Sequence, residues 1–112
     1  MQAVASWTAT ARMVCEAWLK GNVPHAYAAQ TLQAAQETLE DEARIIQEQA
    51  GEGNPQLQSS LALQVRVLGQ VINSMRVAVD SRDNQTLAQL LKRLDAEDQA
   101  TKAMTGSGGV GP

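Results

Sequence analysis

The chain has no phenylalanine and only three aromatic residues, Trp7, Trp18 and Tyr27, so any core it builds must be mainly aliphatic. The lone Cys15 excludes an internal disulfide and a multi-cysteine zinc site. The lone His25 excludes a metal site that takes two histidines from one chain. No apolar run is long enough to span a membrane. Positive charge is also short: 9 Lys and Arg against 12 Asp and Glu leave a net charge of −3. Nucleic acid and anionic lipid surfaces both require a basic patch, so neither is expected as a partner. The N-terminal residues lack the basic and then apolar pattern of a leader peptide, which points to a cytoplasmic protein.

What is present is a balance suited to folding: 44% hydrophobic and 19% charged residues in 112. Four helical segments follow one another. In the first, Ala3–Lys20, Val4, Trp7, Ala11, Val14 and Trp18 recur at helical spacing on one face. Gly21-Asn22 stops it, and Pro24 suits the opening of the next helix. The second, Pro24–Ala50, carries the stripe Ala28, Leu32, Ala35, Leu39, Ala43, Ile46 and Ala50. Gly51–Pro55 breaks it with two glycines and a proline. The third, Gln56–Ser81, presents Leu57, Leu61, Val65, Leu68, Ile72, Met75 and Val79. After a turn in which Asp83 or Asn84 can cap, the fourth begins near Gln85 with Leu87, Leu90, Leu91 and Leu94. Residues 1–105 are expected as one helical-bundle domain, with 106–112 a flexible Gly-rich tail.

Short connections make neighbouring helices antiparallel. Facing residues then have numbers with a constant sum. For the second and third helices that sum is 107: Ala28 with Val79, Leu32 with Met75, Ala35 with Ile72, Leu39 with Leu68, Ile46 with Leu61. Between the last two layers, Glu42 and Gln64 form a candidate polar layer that would fix the register. A second stripe, Tyr27, Thr31, Ala34 and Thr38, faces the first helix, and Leu87, Leu90, Leu91 and Leu94 face the third. Beyond Leu94 the inner face of the fourth helix turns polar at Asp98 and Thr101, so it is expected to stop packing there.

The fold class read from this pattern is all-α: an antiparallel four-helix bundle, short-long-long-short, with a long central hairpin. Its free end would leave Ile45, Leu63 and Val67 without cover. A contiguous apolar patch marks a partner site. The expected partner is a second copy or another helical protein.

The chemistry of a catalyst is not visible. No Glu-x-x-His pair is present for a di-iron site, no base stands near Cys15 in sequence, and the Gly51–Pro55 turn lacks the Lys-Ser/Thr of a phosphate loop. Neither a cofactor nor a metal is expected. The alternative to an interaction module is a bundle that binds a small ligand among Trp7, Cys15, Trp18 and Tyr27. The acidic residues Glu37, Glu40, Asp41, Glu42, Glu48 and Glu52 read as a solvated face.

Overall fold

The computed structural model describes residues 2–49 and 55–109. Four helices follow in order: α1 (Gln2–Leu19), α2 (His25–Glu48), α3 (Pro55–Asp80) and α4 (Asn84–Gly109). Most of the turn expected at Gly51–Pro55, and residues 110–112 of the expected tail, lie outside the described residues. Each helix packs on its neighbours in a ring, α1 on α2 and α4, α3 on α2 and α4. The molecule measures 45 × 26 × 19 Å.

Local chemistry sets the helix ends. At the end of α1, Gly21 takes a φ of +75°, the left-handed conformation that a residue without Cβ adopts freely. The Asn22 N–H then reaches Ala17 O at 2.8 Å and the Gly21 N–H reaches Trp18 O at 2.9 Å. The end of α3 repeats the device with an arginine in the left-handed place: Arg82 has φ +56°, and the Asp83 N–H reaches Ala78 O at 2.9 Å. Of the two candidate caps for α4, Asp83 takes the role. Its carboxylate accepts the Thr86 hydroxyl at 2.7 Å and the Thr86 N–H at 3.1 Å. Those bonds hold its pKa below the usual value, the hydroxyl contributing most. The cap therefore supports the fold above the ordinary carboxylate range and is lost as the pH falls through the lowered value.

The core is aliphatic. Leu32, Leu39, Leu68, Ile72, Met75, Leu87 and Leu94 are its largest fully buried side chains. The α2–α3 register follows the expected pairing within a residue or two. His25 Nε2 meets Asp80 Oδ1 at 2.8 Å at one end, and Gln47 Nε2 donates to Ser59 Oγ at 3.3 Å towards the other. Midway, Gly69 lies against Leu39 and Gln36. A Cβ there would sit 3.7 Å from Leu39 Cβ and 3.9 Å from Gln36 O, ordinary contact distances. Alanine fits, and it is a better helix former than glycine by about 1 kcal/mol. Gly69→Ala should therefore raise the stability by about 0.5–1 kcal/mol in urea unfolding. A lowered midpoint would mean that the two helices pack closer than this.

One expectation is overturned. The fourth helix was expected to leave the core after Leu94, yet α4 is 26 residues long, as long as α3. It continues to Gly109, into the segment assigned to the tail. The arrangement is one short helix and three longer ones. The polar inner residues that argued for an early stop are satisfied within their own helix. Thr101 is buried and its hydroxyl donates to Glu97 O at 2.8 Å. Asp98 Oδ2 takes Lys102 Nζ at 3.1 Å one turn on. Once paired, neither costs enough to pull the helix away.

Candidate interaction surface

Because α4 runs the full length of α3, the far end of the hairpin is not bare on that side. Gln64 Nε2 donates to Glu97 O at 3.2 Å and to Glu97 Oε2 at 3.3 Å. Further along, Leu57 and Leu61 line a cleft with Met104 and Thr105. The expected polar layer of Glu42 with Gln64 is thereby corrected. Gln64 turns to α4 and ties α3 to that helix, while Glu42 remains half-buried on α2.

The three residues expected to form one patch occupy two faces. Ile45 is 41% exposed and continues the α2 stripe of Thr31 and Thr38, on the side that receives α1. Leu63, 63% exposed, and the half-buried Val67 lie on α3 at the edge next to α4. Sequence reasoning did not foresee the separation, because the constant-sum argument fixes the level of a residue along the hairpin and not its side.

Around Leu63 the structure assembles a longer feature than the sequence suggested. Leu63, Val67, Gln70, Ser74 and Val77 follow at steps of four, three, four and three. At about 100° per residue they fall within an arc of roughly 80°, centred about 160° from the middle of the α3 core face. Val77 is 51% exposed, and Gln70 and Ser74 are exposed as well. Ser74 and Val77 wall an open cleft of about 410 Å³ with Thr86 and Leu90 of α4. Gln89, Arg93, Ala96 and Ala100 of α4 are exposed on the same side. The four-three spacing is present in the sequence; it passes unnoticed when α3 is followed only along Leu57, Leu61, Val65, Leu68, Ile72, Met75 and Val79, a stripe that does not include Val77.

The residues of the alternative ligand site do not gather. Trp18 closes the opposite end of the bundle. Its Nε1 donates to Asn84 Oδ1 at 3.2 Å, its ring meets the edge of His25 at 6.0 Å between centroids, and Arg82 lies over it at 5.7 Å. His25 in turn shares Asp80 with Arg76, whose Nη1 reaches Asp80 Oδ2 at 3.2 Å. This is an end clasp joining all four helices. Tyr27, 55% exposed, instead walls a groove with Thr10, Met13, Val14, Ala17 and Val23. Trp7 packs half-buried against the core.

Cys15 is fully buried beside that core. Burial pushes its thiol pKa up to about 12, with the negative charge of Glu16 adding to the effect. The thiolate is the reactive form, so the folded protein holds Cys15 inert. An aromatic disulfide reagent at pH 8 should leave native protein essentially unlabelled and react fully once denaturant is added. Rapid labelling of the native protein would contradict the burial.

Among the described residues, no group of three or more His, Cys, Asp or Glu side chains is placed to hold a metal ion, and no helix is long and apolar enough to cross a membrane. No family model matches this chain, and no match is found among curated proteins or solved structures.

Proposed function

We propose that the protein is a non-enzymatic helical interaction module that self-associates through the outer face of α3 where it adjoins α4. The observation that carries this reading is the exposure of Leu63 and Val77 at the two ends of a stripe with coiled-coil spacing. Ile45 lies on a different face and takes no part in it.

The magnitudes are compatible with a reversible dimer. Full burial of a Leu or Val side chain contributes about 1.5–3 kcal/mol. Leu63, Val67 and Val77 from each of two copies can together offset the several kcal/mol that association costs. A face that also carries Gln70, Ser74 and Arg93 remains soluble when separate, as suits a partner that comes and goes.

Sedimentation velocity of the parent over a wide concentration range tests the proposal. A sedimentation coefficient that rises with concentration towards that of a dimer supports it. A monomer at every concentration removes it.

A further inference from the structure

We infer that the second copy docks antiparallel, α3 on α3, about a two-fold axis passing beside Gln70. This geometry rests on the self-association proposed above and specifies it. In an antiparallel symmetric pair, each residue meets the one reflected through the axis. Reflection through Gln70 sets Leu63 level with Val77 of the second copy, and Val67 within one residue of the level of Ser74, the stripe residue nearest to it. Gln70 meets its own counterpart. The stripe therefore matches itself, apolar at both ends and polar in the middle. A side-chain amide both donates and accepts, so two facing glutamines can satisfy one another. A polar layer at mid-seam also fixes the register against slippage.

The charges beside the stripe agree with this axis. Gln64 of α3 is bonded to Glu97, and Ser74 shares a cleft with Leu90. Arg93 lies between those two levels on α4, close to the level of Gln70. It is exposed, and no hydrogen bond or ion pair holds it among the described residues. Glu97 is one helical turn away. The two-fold then brings Arg93 of each copy within about a turn of Glu97 of the other, a neutral cluster of two cations and two carboxylates. Ala96 and Ala100 are small and do not hold the copies apart.

The test is a cross-link across the axis. In the Gln70→Cys protein, the two introduced thiols should join as a disulfide on addition of diamide, which accepts the two electrons and two protons released. Buried Cys15 stays out of the reaction. Met13→Cys, exposed on the α1 side of the molecule, is the control. The geometry predicts a covalent dimer from Gln70→Cys many times faster than from Met13→Cys, and a severalfold weaker dimer in Arg93→Glu. A parent that dimerises while Gln70→Cys cross-links no faster than Met13→Cys overturns this geometry and leaves the self-association standing. A parent that sediments only as a monomer overturns both.

Discussion

Replacing Leu39 by Asp should unfold the bundle or lower its melting temperature by tens of degrees. Leu39 is fully buried midway along the α2–α3 seam, with Gly69 of α3 against its Cβ. The substitution removes a leucine from the core and puts a carboxylate in a fully buried, aliphatic place. An unpaired charge in such a place costs several kcal/mol, a large fraction of the ~5–15 kcal/mol that holds a domain together. Circular dichroism against temperature reads the effect directly. Leu63→Asp is the matched control: the same chemical change at an exposed site should leave the melting of the monomer within about 0.5 kcal/mol of the parent. If the Leu39→Asp protein melted like the parent, the seam would not be where the paired stripes place it.

The second large effect concerns assembly. Lysine at both Leu63 and Val67 should weaken self-association by on the order of a hundredfold or more, equivalent to about 2.8 kcal/mol. The change deletes four apolar side chains from a symmetric contact and adds four positive charges in their place. Helical content should remain close to that of the parent, because Leu63 is exposed and Val67 only half-buried. Sedimentation and circular dichroism on the same samples separate the two consequences. A double variant that still dimerises at parental strength places the contact on another face.

The hairpin was legible in the sequence because α2 and α3 each carry an apolar stripe several turns long. Two such stripes align in only one antiparallel register, and the contacts of His25 with Asp80, Leu39 with Gly69 and Gln47 with Ser59 fall within a residue or two of it. The length of α4 was not legible by apolar periodicity, which fails at Asp98 and Thr101. A different signal was available there. Glu97 and Thr101 stand four apart, as do Asp98 and Lys102, the spacings at which a hydroxyl or a carboxylate is satisfied inside a helix. Periodicity counts apolar residues and passes over this kind of repair. The clasp at the end of the bundle was hidden for another reason. Trp18 with Asn84, and His25 with Asp80, join residues more than fifty positions apart, and no local pattern announces them. The surface stripe was half seen: Leu63 and Val67 stood out as uncovered, but assigning Ile45 to the same patch required knowing which way around the hairpin each helix turns.

The distance between two copies of one position on α3 tests the account most directly. A spin label on Gln56→Cys sits on the proposed face, near the start of α3 and outside the central contacts. Buried Cys15 leaves the introduced thiol as the site of labelling. If α3 meets its counterpart antiparallel about Gln70, the two labels lie twenty-eight residues apart along the shared axis. At 1.5 Å per residue this is roughly 40 Å. Pulsed dipolar spectroscopy should return one distance near that value, and the signal should vanish in the Leu63→Lys/Val67→Lys background. A dimer with no dipolar coupling between labels, or with a distance the lysines leave unchanged, would show that the copies meet elsewhere.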